Sequence, residues 1–560
     1  MSAEIQLLDD GYFALSFAYD AARVARVRSL KNRRWNKSEK RWEVGINHLG
    51  EVMKIFNLAP EKLDSKLLRK YKVHQIKHYR ARLMVGNVET TIIGTGLPVK
   101  QIDAATCFYL PGYQFMPRYI EGRWDGKRHL YDPRKSTIPS GLVSRVREIL
   151  DKEGVEYDIG EPTREESWKP LGAKKPRFTL RDYQEDCVKA ALENKRGVIE
   201  LATGSGKTAV ATWLIHTLDR PAVFFVHTRD LLHQTRDYME DQLGLTVGQV
   251  GDGKVDIRPV TVATVQTCAK ALGIKVVKSD EDETLEDDKT DISSAKEDLI
   301  QHLREVPLVF FDECHHLPAD TCYSLAMATE GAGHRFGLSA TPYRSDRMDL
   351  LLEAALGAKI FRANASVLIE RKYLVPPVIT VHAAPIVKFS GKTPDYASVY
   401  QQCIVENGPR HRMIAQHARD LVKKGKSVLI LVSQVRHGEA IQRELSEAVL
   451  VQGSDDAAKR RTVFKALENK TKLAVIATTL ADEGLDIPSL DAVILASGGK
   501  SETRALQRLG RALRTSPGKR TATVIDYFDM AQYLKEHALR RIEIYESEPA
   551  FKVQTVGFKV

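Results

Sequence analysis

The chain of 560 residues is poor in cysteine: Cys107, Cys187, Cys268, Cys314, Cys322 and Cys403 lie far apart, and no two form a C-x-x-C pair. That spacing excludes a disulfide framework and a zinc knuckle and fits reduced thiols in a cytoplasmic protein. No apolar run approaches the ~20 residues that cross a bilayer, so no membrane partner is expected. Residues 1–10 carry neither a basic stretch nor an apolar stretch of signal-peptide type, so no secretory leader is expected. No internal repeat is clear. What is present is ordinary globular material, 43% hydrophobic and 28% charged. At ~150 residues per domain the length suits three or four domains, enough to bury cores without covalent staples.

Charge is distributed unevenly. The whole chain carries a formal surplus of +11. Residues 1–150 hold 27 Lys and Arg against 15 Asp and Glu, whereas residues 151–560 hold 57 against 58. A basic module beside a neutral remainder points to a polyanion as partner, with a solvated basic surface as the plain alternative.

From about Phe178 to Asp526, short apolar runs alternate with stretches of helical period. The expected strands are Gly197–Leu201, Ala222–Val226, Val260–Thr264, Leu308–Phe311 and Arg335–Ser339, then Ser427–Val432, Ala448–Gln452, Leu473–Ala477, Asp491–Ala496 and Thr521–Asp526. Continuously apolar strands separated by helices imply parallel sheets covered on both faces, and two series imply two α/β lobes in tandem. The turn between them is expected within Ala363–Pro377, where Pro376 and Pro377 disfavour helix. The polar stretch 161–177 reads as a linker. Segment 279–298, with ten acidic residues against two lysines, reads as a solvated insertion in the first lobe.

Three motifs carry chemistry. Glu200-Leu-Ala-Thr-Gly-Ser-Gly-Lys-Thr208 follows an expected strand and opens a helix, the context of a phosphate loop. Its glycines let N–H groups converge on phosphate oxygens at a helix N-terminus; Lys207 would neutralise the outer phosphates and Thr208 hold Mg²⁺. The strict pattern wants glycine at position 201, where leucine stands. Downstream, Leu308-Val-Phe-Phe-Asp-Glu-Cys-His315 ends an apolar strand in two carboxylates. Asp312 suits Mg²⁺ and Glu313 suits polarising the attacking water. In the second lobe, Gln507-Arg-Leu-Gly-Arg-Ala-Leu-Arg514 spaces its arginines along a helical face, where one could reach a γ-phosphate across a cleft.

With these in order, the chain resembles the superfamily 2 helicases over roughly residues 178–530. Phe178–Gln184 resembles their Q-type motif, Val226–Gln234 motif Ia, Val262–Thr267 motif Ib, Ser339–Thr341 motif III, Ala477–Pro488 motif V, and Asp312-Glu-Cys-His315 the DExH form of motif II. The resemblance implies two RecA-like lobes, 178–365 and 366–545, with 546–560 as a tail. It implies ATP and Mg²⁺ as cofactors and catalytic roles for Lys207, Asp312, Glu313, Gln507, Arg511 and Arg514. Nucleotide contacts would come from Arg181, Gln184 (to the base), Thr203, Gly204, Ser205, Gly206, Thr208, Gly484 and Asp486. His315, Ser339 and Thr341 would couple hydrolysis to movement, and Arg229, Thr264, Gln266 and Thr478 would touch the nucleic acid.

The basic quarter narrows the branch. Gly112–Arg128 interleaves four aromatics with Arg118, Arg123, Lys127 and Arg128, a mixture suited to base stacking and phosphate neutralisation, although Tyr113, Phe115 and Trp124 equally suit a small core. This segment, within residues 61–160, resembles the N-terminal domain of UvsW-type helicases. Leu15–Phe56, within residues 1–60, resembles a HARP domain, with Trp35 and Trp42 as its alternative reading, two buried core residues. The expected whole is an α/β protein: two tandem RecA-like parallel-sheet lobes preceded by a small basic α+β module. The expected activity is an ATP-driven, monomeric motor that remodels branched or forked DNA beside recombination proteins. An RNA helicase and a duplex translocase of a restriction or defence system are the alternatives, and a non-catalytic DNA-binding protein is the alternative of another class.

Overall fold

Ala222-Val-Phe-Phe-Val226 has no polar residue, so neither of its faces can meet water; such a strand needs a neighbour on each side and a helix over each face. The computed structural model gives it both. It describes every residue except 1–2, 9–10, 59–62, 69, 71–79, 161–167, 276–289, 318–319, 341–348, 388–394, 479–486, 499–509, 511 and 560. The chain divides into two compact units, 1–139 with 143–163, and 140–142 with 164–560.

In the first unit, strands β1 (Glu4–Leu7), β2 (Tyr12–Ser16), β3 (Arg33–Asn36) and β4 (Arg41–Gly45) form an antiparallel sheet in the order β1-β2-β4-β3. Phe13, Leu15, Val27, Val44, Leu49 and Val52 bury its one covered face. β3 is an edge strand, and Trp35 on it is 46% exposed while packing edge-on against Trp42 at 5.1 Å. The reading of two buried tryptophans therefore fails for Trp35, and Trp42 is only half-buried against the core. A second sheet joins β5 (Arg80–Val85), β6 (Glu89–Ile93), β9 (Thr137–Pro139) and β10 (Glu156–Gly160) in the order β10-β5-β6-β9; β7 (Cys107–Tyr109) and β8 (Lys127–His129) pair separately.

The second unit contains both lobes. The first lobe has β11 (Arg196–Leu201), β12 (Ala222–Val226), β13 (Gly248–Gly251), β14 (Lys254–Asp256), β15 (Val260–Thr264), β16 (Leu308–Asp312), β17 (His334–Ser339) and β18 (Lys359–Ala363). Their order is β14-β13-β15-β12-β16-β17-β11-β18, parallel throughout except at the β13–β14 hairpin. Register places Phe224 opposite Phe310 and Phe225 opposite Phe311, so one stacked aromatic pair lies on each face of the sheet, at 5.8 and 4.7 Å. The second lobe has β19 (Pro377–Ala383), β20 (Val428–Val432), β21 (Val449–Val451), β22 (Ala474–Thr478), β23 (Ala492–Leu495), β24 (Ala522–Phe528) and β25 (Lys552–Val556), all parallel in the order β21-β22-β20-β23-β24-β19-β25.

Three segments differ from their sequence reading. Residues 546–560, read as a tail, supply β25, which pairs with β19. The described part of the 161–177 linker packs on the first lobe: Lys174 N–H donates to Leu243 O at 2.8 Å, and Leu171 and Ala173 lie against the core. The end of the acidic segment 279–298 keeps Asp291, Glu297 and Asp298 exposed, as read, but is anchored at two points. Ile292 is buried and Thr290 Oγ1 accepts the Gly253 N–H at 2.8 Å. Among the described residues all six cysteines are free, none forms a metal-binding cluster, and no helix is long and apolar enough to cross a membrane.

Candidate active site

β11 runs to Leu201, which is fully buried, so the residue that departs from the glycine pattern is the last core residue of the strand. The loop then turns through Gly204 and Gly206, both left-handed at φ 82° and 85°, into the helix Lys207–Leu218. Left-handed backbone favours glycine because it lacks a Cβ. At Gly206 a Cβ would lie 2.6 Å from Gln184 Nε2. Gln184 braces the loop from below: its Nε2 donates to Ser205 O at 2.7 Å, its Oε1 accepts the Arg181 N–H at 2.9 Å, and the Tyr183 hydroxyl donates to the same Ser205 carbonyl at 2.6 Å. Both ends of the Gln184 amide are thus engaged inside the protein. Arg181 lies over the Tyr373 ring at 4.9 Å and Tyr183 packs edge-on against that ring at 5.1 Å. Tyr183 and Tyr373 escaped the sequence reading; the first lay inside the Q-type motif, the second had no signal.

β16 delivers Asp312 and Glu313 beside the loop. Lys207 Nζ is paired with Glu313 Oε1. Burial pulls the Lys207 ammonium down, but the Glu313 and Asp312 carboxylates outweigh it and hold its pKa above the ordinary lysine value. Burial would raise Glu313, yet Lys207 and then His315 hold it well below the usual carboxylate range. Asp312, whose Oδ1 accepts the Glu313 N–H at 3.0 Å, is pushed up by burial. Glu313 itself stands in left-handed backbone at φ 45° and ψ 51°. For a residue with a Cβ that conformation costs ~1–2 kcal/mol, and it aims the carboxylate back at Lys207.

Two of the residues expected to couple hydrolysis to movement, His315 and Ser339, meet here. His315 Nδ1 lies 3.1 Å from Ser339 Oγ and 3.3 Å from Glu313 Oε2, and the Ser339 hydroxyl donates to that same carboxylate oxygen at 3.4 Å. Burial, and then His316, lower His315 to about 4, so its ring is neutral near pH 7. The rings continue outward: His315 to His316 at 4.1 Å, then His316 to His227 at 4.5 Å. His227 belongs to motif Ia, and its carbonyl accepts from Gln266 Nε2 of motif Ib at 3.2 Å. His227 and His316 were missed in sequence because their alignment exists only in three dimensions. Thr341 lies outside the described residues.

The second lobe reaches the loop through Gly510 and Arg514. A Cβ on Gly510 would collide with the Thr203 side chain, and a Cβ on Gly204 would lie 3.0 Å from Arg514 Nε. Arg514 is therefore on the phosphate loop; burial, and then Arg181, hold its pKa below the ordinary arginine value. Gln507, Arg511, Gly484 and Asp486 lie outside the described residues.

The loop's chemistry suits a phosphate. Thr203 Oγ1 and Ser205 Oγ are buried with no hydrogen-bond partner among the described residues, two donors that a phosphate oxygen would satisfy. The Thr208 hydroxyl and the Asp312 carboxylate are hard oxygen donors of the kind Mg²⁺ takes.

The expected nucleic-acid contacts divide. Arg118 and Arg123 are exposed, and Lys127 and Arg128 half-buried, on the first unit. In the second unit Arg229 is tied to Asp252 at 3.5 Å. Thr264 is buried and donates to Thr267 Oγ1 at 2.8 Å, Gln266 is buried against His227, and Thr478 is buried with no partner for Oγ1 among the described residues. Thr264, Gln266 and Thr478 thus sit behind the surface in this conformation.

Two family models match the lobes: "Type III restriction enzyme, res subunit" over residues 177–344 and "Helicase conserved C-terminal domain" over 412–516. These matches support a superfamily 2 helicase of the UvsW and XPB type. The ATP-dependent helicase UvsW of phage T4 is 25% identical over 503 residues, covering 79% of this chain and 92% of UvsW. The translocase XPB2 of Sulfurisphaera tokodaii is 26% identical over 385 residues, covering 62% of this chain and 81% of XPB2. A Rad25 protein of Halobacterium salinarum is 28% identical over 381 residues, 65% of this chain but only 57% of that protein's length.

Proposed function

We propose that this helicase is a motor on DNA that remodels branched substrates: forks, four-way junctions and displacement loops. The observation that carries the motor reading is Arg514 of the second lobe lying against Gly204 in the phosphate loop of the first. A group that bridges the lobes through the nucleotide lets ATP favour the closed form and hydrolysis release it, and a strand gripped differently in the two forms is moved. Support for DNA comes from the UvsW and XPB2 relatives and from the basic surplus of residues 1–150.

In the working site Lys207 leaves Glu313 for the outer phosphates, and Thr203 and Ser205 donate to phosphate oxygens. Glu313 then accepts a proton from the attacking water. Arg514, with Arg511 and Gln507, meets the charge that develops on the γ-phosphate. Arg181 contacts the base, and Gln184 does so by giving up the Ser205 carbonyl or the Arg181 N–H that it holds here, with Gly484 and Asp486 closing from the second lobe. Thr208 and Asp312 would hold Mg²⁺, which when bound neutralises phosphate charge. Ser339 and Thr341 pass the state of Glu313 onward through His315. We read residues 1–60 as the HARP-like part and 61–160 as the UvsW-like DNA-binding part, with Arg118, Arg123, Lys127 and Arg128 on phosphates.

The test is ATPase rate against a panel of no nucleic acid, single-stranded DNA, blunt duplex, four-way junction and RNA. Strongest stimulation by the junction is the expected result. Strongest stimulation by RNA, or equal stimulation by all, removes the branched-DNA assignment. Strongest stimulation by blunt duplex favours the duplex-tracking alternative that the restriction-subunit match allows.

A further inference from the structure

Large apolar side chains that stay in water on an otherwise charged surface mark a contact with something else. In the first unit such a group sits on the turn between β7 and β8. Phe115 is 84% exposed and Ile120 70% exposed, with Met116 and Pro117 between them. The turn is not loose. Met116 N–H donates to Tyr113 O at 3.1 Å and Ile120 N–H to Met116 O at 3.1 Å. Beneath them Tyr113 stacks on Tyr109 at 4.6 Å and takes the edge of Tyr119 at 4.9 Å, while Trp124 Nε1 donates to Lys127 O at 2.8 Å. The tyrosines and the tryptophan are thus occupied in holding the turn, and Phe115 and Ile120 are what it presents. This resolves the two readings of the aromatics: Tyr113 and Trp124 are structural, and Phe115 is not.

The surroundings favour one kind of partner. Arg118 and Arg123 are exposed beside the tip, Arg123 in an exposed ion pair with Glu121 at 3.1 Å, and Lys127 Nζ lies over the Tyr109 ring at 5.0 Å. An apolar tip flanked by cations fits a nucleic acid, with bases against the tip and phosphates against the rim. Phe, Ile, Met and Pro are the residue types that wedge against unstacked base steps, and a branch point is where a base-pair face is already uncovered.

Resting on the branched-DNA reading above, we propose that the Tyr113–Ile120 turn is a branch-point wedge in which Phe115 and Ile120 stack on the base pair exposed at a DNA junction. It sets the preference for branched over blunt DNA; the arginines around it set overall affinity.

The test is fluorescence anisotropy of the full chain with a labelled fork and a blunt duplex of equal length, without hydrolysis. Phe115→Ala/Ile120→Ala should cut the fork-over-blunt preference about ten-fold, the scale of losing one base stacked on an aromatic ring, while Phe115→Trp should retain it. An unchanged thermal midpoint checks that the variant is folded. An unchanged preference in the double variant overturns the proposal and leaves the tip to a protein partner. Loss of preference in Phe115→Trp as well overturns stacking as the cause. If DNA fails to stimulate the wild-type ATPase, the motor reading falls by itself, and the binding comparison still decides the wedge.

Discussion

Glu313→Gln perturbs the ion pair on which both the resting site and the chemistry turn. The two side chains are 14% and 22% exposed, so the pair is shielded without being fully dry. Removing one partner of a buried pair costs roughly 3–5 kcal/mol; Gln still accepts a neutral hydrogen bond worth about 1 kcal/mol, and Asp312 stays nearby, so ~1–3 kcal/mol is expected. A chain of several domains does not unfold in one step, so the readout is amide hydrogen exchange in the helix Lys207–Leu218, which reports local opening. The pH dependence follows from the directions of the shifts. Glu313 is lowered from 4.5, so its stabilisation is complete above that value and drains as pH falls below it. Lys207 is raised from 10.5, so its share is complete below that value and is lost as pH rises past it. Asp312, pushed up by burial, gains ionisation when the Glu313 charge goes, which offsets part of the loss at the acidic end. The difference between wild type and variant should therefore be flat through neutral pH and close below about pH 4.5. In turnover the same variant should bind ATP and hydrolyse it ~10²–10⁴-fold more slowly, the range of a general base. Unchanged exchange at pH 7, or a rate loss under about ten-fold, refutes the assignment.

Three further outcomes are expected. Arg514→Ala should lower hydrolysis by ~10³-fold or more while a fluorescent ATP analogue still binds, and Arg514→Lys should not restore the rate because an ammonium lacks the planar fork. Gly206→Ala meets both the left-handed φ of 85° and Gln184 Nε2 at 2.6 Å, so it should lose nucleotide affinity in a direct titration and destabilise the loop by at least ~1 kcal/mol. His316→Ala removes the middle ring between His315 and His227, and should reduce the DNA stimulation of ATPase by about 0.5–2 kcal/mol of coupling, read as the ratio of stimulated to basal turnover.

The lobes were legible because a central parallel strand can contain only apolar residues, as Ala222–Val226 and Val428–Val432 do. The strands that escaped lie at an edge or next to one, where that constraint relaxes. β18 carries Lys359 and Arg362, which read as surface until both are seen bonding the buried Glu200, at 2.7 and 3.0 Å. β25 is largely exposed, and β19 begins at Pro377, the signal that had marked the inter-lobe turn. Lys207, Asp312 and Glu313 were legible because phosphate chemistry fixes their spacing to a strand and a helix start. Tyr373 and the rings of His227 and His316 were not, since the fold alone makes them neighbours of the site.

The structure adds a reason for these residues to act together. Lys207 holds Glu313, Glu313 holds His315 and Ser339, Gln184 holds Ser205, and Arg514 lies on Gly204. On the function proposed above, a triphosphate entering this loop competes for Lys207 and Arg514, so it cannot bind without releasing Glu313. Glu313 is the group least able to stay indifferent, because its left-handed backbone is held against an intrinsic cost of ~1–2 kcal/mol by the pair that the phosphate takes away. Exchange of the Lys207 partner is thereby tied to the His315–His316–His227 stack, which ends in motif Ia. A strand contact built on motif Ia would feel the nucleotide through that one exchange, with no movement of the sheet required.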